Sequence, residues 1–254
     1  MKTTTGRLNQ LASGTRVSWG GLTCSQAGKE ARGWAWIRNG NIACLLNILQ
    51  PVDEFMKDQA ARGFLVVDFL LGHANGFEYM RSIADSGVKY NDFNLVILEP
   101  AGNSYKIGYF NSLENVPQVI EPGVLGFGNS VVEKPFKKVQ RGKKKMEEVV
   151  SCFGKRSYQK QLIHELFEIT KDRETNFPDD QLTYQGRQFS KDFLDELCRI
   201  RVSCTSENIG TRTTTVILVG HKGAVTHKEK TMEEPIDINN VKWIVNSYDF
   251  KLQI

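Results

Sequence analysis

WAWIRNGNIACLLNI, residues 34–48, is the stretch of sequence that decides the fold. Two apolar, β-forming runs flank Asn39-Gly40, and this dipeptide between two such runs is the strongest short-range signal for a β-hairpin. The second run, residues 41–48, is apolar on both faces, which is typical of a strand buried between two layers. The stretch therefore predicts a hairpin inside a sheet that is covered on both sides.

Helix and strand patterns alternate along the rest of the chain. In the first half, the spacing of apolar residues predicts helices over 62–71 and 76–85, and strands over 93–98, 105–110 and 117–120. In the second half, we expect helices over 135–150, 159–170 and 190–198, and strands over 213–219, 224–230 and 241–252. Strands at both ends with helices between them predict an α/β (α+β) fold, in which sheets are sandwiched by helical layers.

The start of the chain differs from the rest. Residues 1–30 are polar, rich in Gly, Ser and Thr, and lack periodicity, so they are expected to form a loop. No internal repeat or long linker divides the sequence, and a chain of 254 residues can bury enough surface to fold without disulfides. We therefore expect one domain over residues 1–254.

Composition narrows the classes of function. The 33 basic and 29 acidic residues give a net charge of only +4, which does not favour nucleic acid as a partner. The 5 cysteines are odd in number and form no C-x-x-C pair, which argues against a disulfide framework or a zinc site and favours a reducing compartment. Residues 1–5 lack the apolar core of a signal peptide and no window is long enough for a membrane span, so a cytoplasmic protein is expected.

One dense basic run lies in the predicted helix over residues 135–150. It comprises Lys134, Lys137, Lys138, Arg141, Lys143, Lys144 and Lys145. Such a run is usually the solvated side of a helix, and this interpretation is favoured here. The alternative is contact with an anionic membrane surface through Lys143-Lys144-Lys145.

Conventional catalytic signatures are absent from the sequence. It contains no G-x-x-x-x-G-K-[ST], G-x-S-x-G or H-E-x-x-H motif. The glycine-rich stretch over residues 123–130 lacks the strand–loop–helix context of a phosphate cradle, so a plain turn is favoured. His164 lies on a predicted amphipathic helix and is expected to be partly exposed, while His221 and His227 flank a predicted turn without a third metal ligand nearby.

The segment GTRTTT, residues 210–215, is the most informative one chemically. An arginine and several hydroxyls directly precede a fully apolar strand, a placement that suits ligand binding. Arg212 could fork onto a carboxylate or phosphate. Alternatively, Arg212 pairs with a structural acid and the threonines favour β structure, and the residues alone do not separate these two interpretations.

Several of these segments together resemble the transport and Golgi organisation 2 family, also called the NRDE-domain family. The matching stretches are Trp34 with Ile37, LLNILQP (45–51), Arg62-Gly63, YNDFNLVI (90–97), EPGVLGFGNSVVEKPFKKV (121–139) and GTRTTTVILV (210–219). The resemblance covers nearly the whole chain from about residue 30. It implies a fold similar to the N-terminal nucleophile hydrolases, an αββα sandwich with mostly antiparallel sheets.

The sequence departs from the family pattern at its start. Family members begin Met-Cys and carry an Asn-Arg-Asp-Glu signature, whereas this chain begins Met1-Lys2 and has no such signature. The family's first strands are therefore expected to be missing. An N-terminal nucleophile uses its own α-amine as base and must be the first residue of the mature chain, so hydrolysis by this chain is not expected and no catalytic residue is predicted.

The resemblance implies roles in Golgi organisation and secretion, in haem mobilisation, and in lipid or acyl-CoA homeostasis. From it we expect a non-enzymatic haem trafficking factor, cytoplasmic and associated with the Golgi or mitochondria, with haem or another small hydrophobic ligand as cargo and no required cofactor or metal. The candidate ligand-binding residues are Arg212, Thr211, Thr213, Asn94, Asn129 and Trp34, with Trp36 and Phe127 beside them and His73 or His164 as axial ligand. An amide hydrolase in a longer form and a membrane-surface module remain the alternatives.

Overall fold

The structure is a computed structural model. It describes residues 18–20, 34–36, 39–72, 74–102, 104–238 and 240–252, with the backbone alone at 18–20, 34–36 and 221. We expected residues 1–30 to form a loop and the family's first strands to be missing. Most of residues 1–30 lies outside the described residues. The exception is Ser18–Gly20, which pairs as a strand, so the loop prediction is wrong there.

The predicted hairpin belongs to the first sheet, whose strands follow one another antiparallel in chain order. These strands are β1 (Ser18–Gly20), β2 (Trp34–Trp36), β3 (Ile42–Asn47), β4 (Phe93–Ala101), β5 (Ser104–Asn111) and β6 (Gln118–Ile120). Trp34 pairs with Cys44 and Trp36 with Ile42, which confirms the hairpin. Gly40 at its turn has a φ of 94°, a conformation that favours glycine.

Two helices cover one face of this sheet. α1 (Phe64–Leu71) and α2 (Gly76–Asp85) bury Leu65, Phe69 and Met80 against alternate residues of β3 and β4, including Leu45 and Leu95. Both helices were predicted, but α1 begins two residues later than expected. Arg62 ends the preceding loop instead: its side chain is buried and donates a hydrogen bond to the Asp92 carbonyl oxygen at 2.8 Å.

The opposite face of the first sheet is covered by irregular chain over residues 121–135. Phe127 stacks on Tyr109 with ring centroids 5.8 Å apart. Asn94 holds this segment in place, since its amide nitrogen donates to the carbonyl oxygens of Gly128 at 3.1 Å and Ser130 at 2.8 Å. The Asn94 carbonyl oxygen accepts from the Tyr109 hydroxyl at 2.9 Å, so the whole buried amide group is used.

The second half of the chain builds another helix-and-sheet unit. Its elements are α3 (Lys137–Phe153), α4 (Gln159–Ile169), α5 (Asp180–Gln185), α6 (Lys191–Leu197), β7 (Ser203–Cys204), β8 (Ile209–Gly210), β9 (Thr213–Val219), β10 (Ala224–Met232) and β11 (Trp243–Lys251). β9, β10 and β11 form an antiparallel sheet in the order β11-β10-β9, and β7 pairs with β8. α4 packs on β9, and α3 packs on α4.

The elements predicted for this half are confirmed. The predicted helices appear as α3, α4 and α6, and Ser190 caps α6 by accepting from the Phe193 amide at 3.2 Å. Three short elements were not predicted: the strands β7 and β8, and the helix α5, which is capped by the Asp179 carboxylate. The predicted α+β fold class is confirmed: in the described part of the chain, helices accompany three antiparallel sheets. That residues 1–254 form a single domain stays a prediction.

The buried amide of Asn94 yields a stability test. We expect Asn94→Ala to lower the free energy of unfolding by about 3 kcal/mol, because two carbonyls and one hydroxyl lose their partner in a buried site. Asn129→Ala is the matched control: its amide donates a single exposed hydrogen bond to the Asn47 carbonyl oxygen at 2.8 Å, and about 1 kcal/mol or less should be lost. Urea unfolding measures both, and equal losses would contradict this role of Asn94.

Candidate functional site

Arg212, the central residue of the GTRTTT segment, forms an ion pair. Its Nη2 lies 2.7 Å from Oε1 of Glu234, and both side chains are about one-third exposed. The Arg212 carbonyl oxygen also accepts from the Met232 amide at 2.9 Å. Of the two interpretations that the residues left open, pairing with an acid is the one that the structure shows. This pairing neutralises the cation that a ligand would have met.

The neighbouring threonines point in different directions. Thr211 is buried, and its hydroxyl oxygen accepts from the Val202 amide at 3.2 Å. The hydroxyls of Thr213 and Thr231 are 2.7 Å apart on one face of the sheet. Thr214, next along β9, faces the other way and pairs with Lys230. Thr211 and Thr214 both border the space between β9 and α4.

A cleft opens in this space, between α4 and the sheet. Its walls include Phe167, Arg201, Thr211, Thr214, Lys230 and Trp243. Its cavity volume is only about 10 Å³, far below the range of roughly 300–1,000 Å³ typical of pockets for drug-sized ligands. The cleft is therefore a shallow surface feature, which can meet at most the polar end of a ligand that lies largely on the surface.

Two cations sit on the indole ring in this cleft. The guanidinium carbon of Arg201 is 4.9 Å from the ring centroid of Trp243, and Nζ of Lys230 is 5.1 Å from it. Among the residues that the structure describes, no carboxylate lies within ion-pair distance of Arg201 or Lys230, although Lys171 and, more weakly, Lys230 lower the pKa of the nearby Glu168 carboxyl. Burial, and secondarily the positive charge of Arg173, lower the pKa of the Arg201 guanidinium. A half-buried cation without an acid partner is the electrostatic complement of an anion.

An apolar surface adjoins these cations. Val245 lies two residues beyond Trp243 on the same face of β11, pairs with Lys230, and is 61% exposed. Phe167 of α4 borders the cleft from the other side. Carboxylate or phosphate on the cations, with an apolar body along Trp243 and Val245, is the ligand chemistry that this arrangement accommodates.

Comparison with known proteins identifies the family. A profile of the family described as "Transport and Golgi organisation 2" matches residues 22–234. The chain belongs to this family. It is similar to the Transport and Golgi organization protein 2 homolog of Bos taurus, with 31% identity over 231 residues that cover 90% of this chain and 81% of that protein.

Two further members of the transport and Golgi organisation 2 family are similar over comparable lengths. The homolog of Homo sapiens is 31% identical over 251 residues, covering 98% of this chain and 85% of its own. The protein of Drosophila melanogaster is 26% identical over 225 residues, covering 84% of this chain and 76% of its own. Family membership thus confirms the resemblance found in the sequence segments.

Of the other residues predicted to bind ligand, those that the structure describes do not line the cleft. The amides of Asn94 and Asn129 are bonded to backbone carbonyls in the first sheet and its crossing segment. His164 is exposed on α4. His73 and the side chain of Trp34 lie outside the described residues. Arg201, Lys230 and Trp243 were not among the predicted site residues. The signals in the sequence that point to them are the nearness of Arg201 to the GTRTTT segment and the alternation of side chains along β10.

Two of the described thiols, Cys44 and Cys198, are poorly suited to nucleophilic attack. Burial raises the pKa of Cys44 to about 12 and that of Cys198 to about 11. Since the thiolate is the reactive form, these two thiols remain unreactive near neutral pH. Cys204 is buried, and Cys152 is exposed at the end of α3. Cys24 lies outside the described residues, and among those described no three His, Cys, Asp or Glu residues are placed to hold a metal ion.

Part of the basic helix α3 is engaged with acids. Arg141 and Lys145 lie 2.9 Å and 3.0 Å from the Asp172 carboxylate, and Arg141 also pairs with Glu174. Burial alone raises the pKa of Asp172, but hydrogen bonds from the Glu174 amide, Lys145 and Arg141 outweigh it and bring the pKa down to about 2. Lys143 and Lys144 are exposed, so part of the helix is solvated as predicted. No helix in the described part of the chain is both long and apolar enough to cross a membrane.

The glycine-rich stretch packs against α3. A Cβ atom on Gly126 or Gly128 would lie 2.9 Å or 2.7 Å from a methyl group of Val139. These glycines therefore permit close contact between the crossing segment and α3, which accords with the favoured interpretation of a turn.

Arg201 should contribute little to stability, since it is desolvated without an acid partner. We expect Arg201→Met to leave the free energy of unfolding within about 0.5 kcal/mol of its original value or to raise it. Arg141→Met is the matched control and should lose about 1 kcal/mol, because Arg141 pairs with Asp172 and Glu174 in a partly exposed site. A loss above about 1 kcal/mol for Arg201→Met in thermal or urea unfolding would contradict this.

The cysteines give a second test. In the native protein at about pH 8, iodoacetamide should modify Cys152 readily, and Cys44 and Cys198 only after unfolding, because burial keeps both thiols protonated. Peptide mass spectrometry reads the labelled positions. Rapid labelling of Cys44 in the native protein would show that its thiol is accessible. It would contradict the conclusion that Cys44 is unsuited to nucleophilic attack.

Proposed function

We propose that this protein is a non-enzymatic haem trafficking factor linked to Golgi organisation and protein secretion. Family membership supports a role in transport and Golgi organisation, since the similar proteins of cattle, humans and flies carry that name. The observation that carries the haem proposal is the pair of cations, Arg201 and Lys230, held on Trp243 beside an apolar surface. Haem combines an apolar macrocycle with two carboxylates, which is the same combination of chemistries.

The size of the cleft limits which part of a haem molecule could enter it. The cleft is far too small for the macrocycle, so one propionate would meet Arg201 and Lys230 at its mouth while the ring lies along Trp243 and Val245. Such a site leaves much of the ring accessible, as a factor that passes its cargo on requires. None of the described residues that line the cleft is a His or Cys that could serve as axial ligand, and axial ligation by His73 or His164 remains a separate prediction.

The chemistry of the described residues favours carrying over catalysis. The thiols of Cys44 and Cys198 are protonated at neutral pH, and Arg212 is held by Glu234. We therefore propose no catalytic residue and no resident cofactor. We place the protein in the cytoplasm, in association with the Golgi or mitochondria, on the strength of the family alone.

A second ligand class follows from the same two cations. Their combined charge of about +2 also matches a phosphate dianion, so coenzyme A and its acyl thioesters are the competing candidates, in keeping with a role in lipid homeostasis. Contact with an anionic membrane through Lys143 and Lys144 is less favoured, because neighbouring cations of α3 are paired with Asp172 and Glu174.

Titration with haemin tests the proposal. We expect a shift of the Soret band on adding haemin to the purified full chain, and binding weaker by about tenfold or more in Arg201→Gln, since a charge-assisted hydrogen bond is lost. Arg212→Gln removes the same charge outside the cleft and should bind haemin as the original protein does.

Competition separates the ligand classes. If coenzyme A displaces haemin and binds more tightly in a direct titration, the phosphate class replaces haem as the cargo. The haem proposal fails if no Soret shift occurs, or if Arg201→Gln and Arg212→Gln weaken binding equally.

A further inference from the structure

The outer edge of β11 has no strand beside it in the described part of the chain. All nine residues of β11 pair with β10 in one unbroken register, from Trp243 opposite Met232 to Lys251 opposite Ala224. The sheet order is β11-β10-β9, so β11 is a terminal strand. Its full length is therefore straight and regular, without a bulge or proline.

This edge is more exposed and more apolar than an edge strand normally is. Ile244, Val245 and Tyr248 are 43%, 61% and 56% exposed. β9, at the opposite edge, exposes only Val219. Soluble proteins usually protect a long edge with charges, proline or a bulge, since an open strand is a template for another strand. β11 carries only Asp249 and Lys251 as charges, both near its end.

We propose that a second copy of this chain pairs with β11 through its own β11, antiparallel and symmetric about Ser247. This register places Val245 opposite Asp249 and Trp243 opposite Lys251 of the second copy, so no like charges face each other. The sequence of β11 is thus compatible with itself in this orientation.

Symmetry supports the same arrangement. In this register odd-numbered residues pair with odd-numbered ones, and even-numbered residues with even-numbered ones. Side chains on one side of the sheet therefore meet side chains on the same side of the sheet in the second copy. The result is a six-stranded sheet with a twofold axis through Ser247, the isologous interface that is commonest among soluble dimers. Tyr248 and Val245 then lose water on opposite faces of the joined sheet.

Charge changes at the symmetry axis provide the test. Ser247→Glu and Ser247→Lys each place two like charges face to face at the axis, whereas Ser247 in the free chain is an exposed residue paired with Lys228. Ser82→Glu on α2 is the control for an added surface charge. Sedimentation velocity, from micromolar to near-millimolar protein, measures the monomer–dimer equilibrium.

The original protein and Ser82→Glu should form dimers, and each Ser247 variant should weaken the dimer by roughly tenfold or more. An equal mixture of Ser247→Glu and Ser247→Lys should restore it, because opposite charges then meet at the axis. If the Ser247 variants failed to dimerise because they were unfolded, mixing them would not restore the dimer.

Three results would overturn the proposal. They are sedimentation of the original protein as a monomer throughout, failure of the mixture to recover the dimer, and protection of the amides of residues 243–251 from hydrogen exchange that does not change with protein concentration. The last result would show that another part of the same chain covers the edge.

Discussion

The structure depends on the buried amide of Asn94. It fixes the backbone of Gly128 and Ser130 against the first sheet, and its carbonyl oxygen is held by Tyr109. The segment fixed in this way runs directly into α3 and packs under Val139 through Gly126 and Gly128. Because α3 packs on α4, and α4 forms one wall of the cleft, this one amide group links the first sheet to the candidate site.

Charge pairing distinguishes the cleft from the rest of the second half. Arg141, Lys145, Arg199 and Arg212 are all held by carboxylates of Asp172, Asp195 or Glu234. Arg201 and Lys230 instead rest on Trp243, and burial disfavours the charged form of Arg201. Such an arrangement costs stability unless an anion completes it, which is why it points to a ligand and not to a structural role.

The sequence predicts the fold better than the site, for physical reasons. The Asn39-Gly40 turn, the apolar face of α4 and the Ser190 cap depend on neighbouring residues, and all three are found in the structure. The cleft depends on contacts between residues far apart in the chain. Nothing local separates Arg199, which pairs with Asp195, from Arg201, which meets Trp243. The GTRTTT motif predicts that Arg212 binds a ligand. The acid that pairs with Arg212 is Glu234, which lies 22 residues away in the sequence, so the motif alone does not reveal the pairing.

The central claim is that Arg201 and Lys230 form an anion site, and side-chain NMR of labelled arginine tests it most directly. On titration of the full chain with inorganic phosphate, the Nε–Hε signal of Arg201 should shift in a saturable way, while that of Arg212 stays in place because Glu234 already holds it. A titration in which the Arg201 signal does not move, or moves no more than that of Arg212, would contradict the account.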